Sequence, residues 1–417
     1  MTHGGLNRIP LAVDQDQPLP KDIQHYMRPG VLQLAVLPPL SLYVHLPWCL
    51  KKCPYCDFNS HELVPANVPQ QRYIDALIAD LECALPLIWG RSVQSIFIGG
   101  GTPSLFSPEA IDRLLGDLRA RLKLAADCEI TLEANPGTFE RERFKAYRGA
   151  GITRLSIGVQ SFNDGQLQAI GRVHNRVQAL AAVAEAAQAF DTFNLDLMYA
   201  LPGQTAVDLA ADLSQAMEFE PPHLSVYHLT VEPNTYFAKY PPVLPDDDTA
   251  YAMLDTITQV TGGHGLERYE VSAYAKEGHR ARHNVNYWQF GDYLGIGAGA
   301  HSKLSFAHRV VRQVRLRQPT LYMERALSGN PLAQEEEVAR SALPFEYMLN
   351  ALRLRHGFSL RDFTERTGLA ITAIESGLQE AERKGLIERD FSRVRPTLRG
   401  FDFLNDLQEI FLPDSAT

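Results

Sequence analysis

The chain has 417 residues, 45% of them hydrophobic and 21% charged, and 40 Lys and Arg against 49 Asp and Glu give a formal charge of −9. These proportions describe a globular chain long enough to bury a large core, and they exclude wholesale disorder and a collagen-like fibre. The acidic balance leaves no bulk basic field for collecting nucleic acid, so no nucleic-acid partner is expected.

Residues 1–39 hold Gly4-Gly5, Pro18, Pro20 and Pro29-Gly30 with little periodicity and read as a poorly ordered tail. No charged segment there is followed by an apolar one, so no secretory signal is expected. No apolar run reaches the roughly 18 residues of a membrane span. The reading is a cytoplasmic protein with no transmembrane segment, and peripheral membrane contact through a partner stays open.

From Leu40 short β-rich runs alternate with helical stretches. Strands are expected at Leu42–Leu46, Val93–Ile98, Glu129–Glu133, Arg154–Val159, Phe193–Leu197 and His223–Leu229, each a short apolar run bounded by turn signals. Amphipathic or Ala-rich helices are expected between them at Tyr73–Leu85, Pro108–Leu122 and Val177–Phe190. Six such βα units imply an α/β fold with a parallel sheet that curls into an incomplete TIM-like barrel over residues 40–235. The chemistry-bearing residues follow the C-terminal ends of successive strands, where βα barrels build their sites. Residues 236–332 read as an irregular extension of the barrel. Residues 333–417 read as a winged-helix-like α+β unit, with helices at Phe345–Arg353, Ser359–Thr367 and Ile371–Lys384 and a turn near Arg393–Pro396. Eight basic and seven acidic residues between Ser359 and Gly400 give it no basic excess, so a structural or docking lid fits better than DNA binding.

The strongest signal is Cys49-x-x-x-Cys53-x-x-Cys56. Three thiolates on one loop can ligate three irons of a [4Fe-4S] cubane and leave the fourth iron open to a ligand. The same residues also allow a zinc site, with His45 or His61 as fourth ligand. Cys83 and Cys128 lie outside the loop, and five cysteines are too few for a disulfide scaffold. Further along, Gly99-Gly100-Gly101-Thr102 forms a run in which backbone can approach a ligand without a Cβ clash, or an ordinary strand-to-helix turn. His283, in His283-Asn284-Val285-Asn286-Tyr287-Trp288, reads either as a core histidine in an aromatic layer or as an axial ligand to haem iron, with Tyr287 and Trp288 stacking on a flat macrocycle. His279 and His301 are nearby competitors for that role.

The cysteine motif after a first strand, with Tyr55 before the last cysteine, resembles the radical S-adenosylmethionine (SAM) superfamily. The longer motifs Tyr43-x-His45-x-Pro47-Trp48-Cys49, Gly99-Gly-Gly-Thr-Pro103-Ser104, Glu133-Ala-Asn-Pro136-Gly137, Ser156-Ile-Gly-Val-Gln160-Ser-Phe162, Gly171-Arg172-x-His174 and Asp196-Leu-Met-Tyr-Ala-Leu-Pro202-Gly203 resemble the oxygen-independent coproporphyrinogen III oxidase group, from about Leu40 to the C-terminus. The oxidases carry a further cysteine two residues after the third, and this chain has Phe58 there. The stretch Cys53-Pro-Tyr-Cys56-Asp57-Phe58-Asn59-Ser60-His61 and the His283-Asn-x-x-Tyr287-Trp288 motif are similar to that group's haem-chaperone branch.

The resemblance implies a [4Fe-4S] cluster on Cys49, Cys53 and Cys56 and SAM chelated at its open iron. SAM would lie among Tyr43, Tyr55, Gly100, Gly101, Thr102, Glu133, Gln160, Arg172 and Asp196, with haem on His283, Tyr287 and Trp288. It implies transfer of haem to acceptor haemoproteins. The alternative is an oxidase that decarboxylates coproporphyrinogen III through a 5′-deoxyadenosyl radical, which needs an electron donor. No residue is assigned a catalytic role.

Overall fold

The computed structural model describes residues 23–137 and 140–413, with the side chains of residues 140–142 outside the description. Six strands, β1 (Leu40–Leu46), β2 (Ser92–Gly100), β3 (Lys123–Ala134), β4 (Arg154–Gln160), β5 (Phe193–Tyr199) and β6 (His223–His228), lie side by side in chain order. Each neighbouring pair is parallel. Helices Gln70–Ala84, Pro108–Arg121, Glu140–Ala150, Arg176–Ala189 and Ala206–Met217 make the crossovers that parallel strands require. Local chemistry sets their starts. Ser107 caps the second crossover helix by accepting from Ala110 N, and Thr205 and Asp208 close a capping box on the last.

The strands alternate as a half-polar barrel wall should. On β1, Leu40, Leu42, Val44 and Leu46 pack into the main hydrophobic core beneath the helices, while Ser41, Tyr43 and His45 take the other face. The same period sends Arg154 and Ser156, Asn194 and Asp196, and His223, Ser225 and Tyr227 to one face of β4, β5 and β6.

The segment after β6 is more regular than its sequence suggests. It contributes helix Asp247–Gly263 and six more strands: β7 (Glu267–Arg268), β8 (Ala273–Ala275), β9 (Asp292–Ile296), β10 (His301–Phe306), β11 (Arg309–Arg315) and β12 (Leu332–Glu337). The twelve-stranded sheet runs β12-β11-β10-β9-β1-β2-β3-β4-β5-β6-β8-β7. β9 joins β1 in parallel, and β10 to β12 continue that edge antiparallel. β12 and β7 are the outer strands of this sheet and are not neighbours of each other, so the barrel is incomplete. Inside the added half, the Lys303 ammonium sits 3.0 Å from Asp292 and 2.9 Å from the Phe290 carbonyl, a buried charge held by its partners.

Two expectations need correction. Part of the tail, residues 1–22, lies outside the described residues, but residues 23–39 are packed. Tyr26 stacks on Phe306 at 4.8 Å and its hydroxyl bonds Glu335. Leu34 N donates to Ala307 O at 2.9 Å, Arg309 donates to the carbonyls of His25 and Arg28, and Leu32 and Leu34 are buried. Three scattered apolar residues make no period: Tyr26 finds its surface on the hairpin of β10 and β11, and Leu32 and Leu34 join a hydrophobic core with residues of the C-terminal unit. The expected helix Ile371–Lys384 divides into a 3₁₀ turn at Ile371–Ala373 and a helix at Glu375–Arg383. With helices Leu343–Ala351 and Leu360–Thr367 and a small sheet of Phe358–Ser359, Arg393–Pro396 and Ile387–Arg389, it forms the C-terminal unit around a core that also takes in Leu32, Leu34, Phe290 and Val310.

Candidate functional site

The cysteine loop leaves the C-terminal end of β1. Trp48–Cys49 pairs with His61–Glu62, closing the loop at its base, and Cys56 N donates to Cys53 O at 3.0 Å across its turn. Lys52 Nζ reaches the Phe58 carbonyl at 2.8 Å, and Asn59 Nδ2 donates to Ala298 O and Arg317 O, each at 2.8 Å. The loop is thus tied to the added half of the barrel. All three cysteines are free thiols. Burial pushes the Cys49 thiol up to about 11, so metal loading there releases a proton.

Zinc fits this geometry poorly. The His45 Nε2–H donates to Asn59 O at 2.9 Å, and its Nδ1 lies 2.7 Å from the Tyr43 hydroxyl, which donates to it. Both ring nitrogens are therefore occupied, and burial drives the imidazole pKa down to about 4. His61 turns Nε2 toward Asn59 Oδ1 at 3.3 Å. Among the described residues no three His, Cys, Asp or Glu side chains converge to hold a single metal ion. Three thiols on one loop, with no fourth protein ligand drawn in, match the donor set of a cubane that keeps one iron open.

The glycine run is built against this loop. Gly101 N donates to Leu46 O at 2.8 Å and Thr102 N to Trp48 O at 2.7 Å. A Cβ on Gly101 would stand 2.4 Å from Trp48 O, and Gly100, at φ 122°, would place one 2.7 Å from the His45 ring. These glycines let β2 end flush against the backbone entering the cysteine loop.

Around this mouth the structure brings together most of the residues singled out for SAM. Arg172 Nη1 lies 3.7 Å from Cys53 Sγ, and Nη2 donates to Asn135 Oδ1 at 2.6 Å and Gly158 O at 2.7 Å. Asn135 in turn donates to Thr102 Oγ1 at 2.8 Å. Tyr55 packs beside Ile170, Met198, Leu201, Leu229 and Phe237 and touches both Arg172 and Cys53. Gly100 N donates to Glu133 Oε2 at 3.1 Å. Burial, reinforced by the Asp196 carboxylate, pushes Glu133 up to about 8. Asp196 is raised too by burial, and it hangs from Asn194 Nδ2 at 2.8 Å and Ser156 Oγ at 3.1 Å. Gln160 ends β4 in the left-handed region at φ 68°, which is uncommon for a residue other than glycine. Tyr43 stacks on Phe97, ring centres 5.9 Å apart.

The proposed haem residues lie elsewhere. Helix Arg282–Trp288 packs against β1, β2 and β9. His283 stacks on Phe97 at 4.3 Å, is 9% exposed, and directs Nδ1 to Glu129 Oε1 at 3.4 Å. Glu129 precedes Glu133 by four residues on β3, so this contact falls roughly 13 Å below the mouth. Glu129 also takes the Arg282 N–H at 2.9 Å and faces Arg154 Nη1 at 3.5 Å. Although burial opposes it, His283 and Arg154 hold the Glu129 carboxyl below its usual range. Tyr287 lies against Tyr293 at 4.5 Å, and Arg353 of the C-terminal unit covers the Trp288 ring at 4.2 Å. The motif therefore packs at the lower end of the barrel, with His283 buried and Tyr287 and Trp288 half-buried.

Reading the sequence missed the polar layer that supports the mouth: Asn135, Ser156, Asn194 and His223. His223 Nδ1 lies 2.6 Å from Asn194 Oδ1 and its Nε2 2.9 Å from the Tyr269 hydroxyl. The available signal was period two, a polar residue at every second position of β4, β5 and β6.

Comparison with known proteins agrees with this geometry. The family model for the Radical SAM superfamily matches residues 43–216, and that for the HemN C-terminal domain matches residues 338–403. The chain is 47% identical over 383 residues to "Heme chaperone HemW" of Escherichia coli, covering 91% of this chain and 100% of that one. The chain belongs to the HemW family, within the radical SAM superfamily. It is also 34% identical over 380 residues to the HemW protein of Bacillus subtilis, covering 89% of this chain and 99% of that one. Among solved structures, coproporphyrinogen III oxidase HemN from Escherichia coli superposes with a TM-score of 0.76 at 24% identity, covering 93% of this chain and 92% of that one. That likeness establishes the shared fold. A [4Fe-4S] cluster and SAM follow from membership of the superfamily. Among the described residues no helix is long and apolar enough to cross a membrane.

Proposed function

We propose that this chain is a haem chaperone. It holds a [4Fe-4S] cluster on Cys49, Cys53 and Cys56, binds SAM beside it, takes up haem through His283, and passes haem to acceptor haemoproteins. Full-length similarity to proteins named haem chaperones carries the reading. Phe58, 64% exposed, supports it over the oxidase alternative, because it occupies the position of the extra oxidase cysteine. When bound, the cluster supplies an iron that can chelate SAM and exchange one electron.

The protein's own residues perform defined tasks in this scheme. Arg172, held rigid by Asn135 and Gly158, offers its guanidinium to a carboxylate at the mouth. Glu133 and Asp196 share one acidic recess, where burial holds both carboxyls above their usual range and a cationic ammonium would favour their ionised forms. Glu129 orients His283 through Nδ1, the arrangement by which a carboxylate fixes the tautomer of a metal-binding histidine and leaves Nε2 for iron. His283 is buried, so a macrocycle would reach its Nε2 only if helix Arg282–Trp288 shifted from its seat against Phe97.

The test is an anaerobic haem titration of the wild type and His283→Ala, followed by absorbance. Saturable one-to-one binding, with a displaced Soret band or weaker affinity in the variant, is expected. Absence of saturable binding in the wild type would refute the chaperone reading, and identical behaviour of the variant would remove His283 from it.

A further inference from the structure

At the closing end of the cysteine loop, Ser60 is only 8% exposed, and its hydroxyl lies 3.5 Å from Cys56 Sγ. The Cys53 sulfur has Arg172 Nη1 at 3.7 Å. Ser60 and Arg172 thus approach two of the three sulfurs. Ser60 is not placed by chance of rotamer alone. Its N–H is fixed on Phe58 O at 2.7 Å, Lys52 Nζ reaches the carbonyls of Phe58 and Ser60, and the next residue, His61, pairs with Trp48. The loop's own closure therefore aims the hydroxyl inward.

We infer that Ser60 is a positioning residue for the cluster, whose hydroxyl donates a hydrogen bond to the Cys56 sulfur and raises the cluster's reduction potential. A thiolate ligated to iron has no proton to give, so the hydroxyl is the donor. Its single proton serves that sulfur. A donor drawn to sulfur stabilises the form of the cluster with more negative charge, which is the reduced form. Burial strengthens the effect, because water does not replace the hydroxyl when it is removed. The inference rests on the cluster assignment above. Failure of that assignment shows separately, as wild-type protein that takes up no iron.

The experiment is an EPR-monitored redox titration of reconstituted, SAM-free protein, with iron and sulfide measured on each sample. Wild type is compared with Ser60→Ala, and Ser60→Thr with Ser60→Val, the second pair differing by a hydroxyl against a methyl at nearly equal size. Full iron content in all four is expected, with the midpoint more negative in Ala than in wild type and more negative in Val than in Thr. Equal midpoints within both pairs would overturn the inference. Loss of the cluster from the Ala and Val variants would overturn it as well, by giving the hydroxyl a loop-folding task instead.

Discussion

Replacing Gly101 with alanine should strip the cysteine loop of iron, although residue 101 is not itself a ligand. The new Cβ would stand 2.4 Å from Trp48 O, where ordinary contact begins near 3.4 Å, so the ends of β1 and β2 must part by about 1 Å. The bonds from Gly101 N to Leu46 O and from Thr102 N to Trp48 O, 2.8 and 2.7 Å, span that gap and would stretch or break. Overpacking of this kind costs about 1–3 kcal/mol, and each lost bond adds about 1 kcal/mol, for a total of about 3–5 kcal/mol. The displaced backbone is the one that carries Cys49, so the loss falls on the cluster as well as on the fold. The assay is iron and sulfide per chain after anaerobic reconstitution, alongside the thermal midpoint. Gly116→Ala is the control: this exposed glycine lies inside helix Pro108–Arg121 with nothing within 4 Å of its Cβ position, and the change should stabilise by about 0.5–1 kcal/mol. If Gly101→Ala instead loads a full cluster at the wild-type midpoint and loses only SAM affinity, the glycine serves ligand approach alone and the packing argument is wrong.

Other outcomes follow from the same geometry. Cys49, Cys53 and Cys56 changed together to alanine should abolish cluster loading, and retention of about four irons per chain would refute the ligand set. Cys83→Ala and Cys128→Ala should keep their iron, and a loss in either would reveal a fourth cysteine ligand. Glu133 keeps its proton in the folded, ligand-free protein up to about 8, whereas the unfolded chain releases it near 4.5. The unfolded state therefore binds fewer protons across that window, and stability should fall as pH rises through it and level off above. Glu133→Gln should flatten that part of the profile, measured as the thermal midpoint of cluster-free protein, and an identical slope in the variant would sink the assignment. Haem should raise amide hydrogen exchange in helix Arg282–Trp288 as it leaves Phe97. Unchanged protection with haem bound, established by absorbance in the same sample, would show that the helix stays seated.

Much of the barrel was legible because its information is local. Period-two strands and Ala-rich or amphipathic helices alternate from Leu40 onward, and parallel neighbours in chain order need no long-range decision beyond the crossover. The cysteine loop was legible for the same reason, since three thiols within eight residues share a site whatever the fold. The motifs at the ends of β2, β3, β4 and β5 became a site as soon as the strands were placed, because the C-terminal ends of a parallel sheet share one mouth.

Tertiary structure alone decided where residues distant in sequence meet. His283 and Glu129 are 154 positions apart, and nothing near either one states that they pair or that the pair lies below the mouth. Residues 23–39 look like a tail until the β10–β11 hairpin and the C-terminal unit supply a surface, since isolated Tyr26, Leu32 and Leu34 bury little without one. His45 looks like a zinc ligand until Tyr43 and Asn59 take both of its nitrogens. The glycine run reads as a ligand cradle or a turn, and only the structure shows that it also lets the Trp48 carbonyl come close to Gly101. Composition and period thus determined the elements and the end of the sheet at which they work. Only packing determined which polar atoms were already satisfied, and so which remained for a ligand.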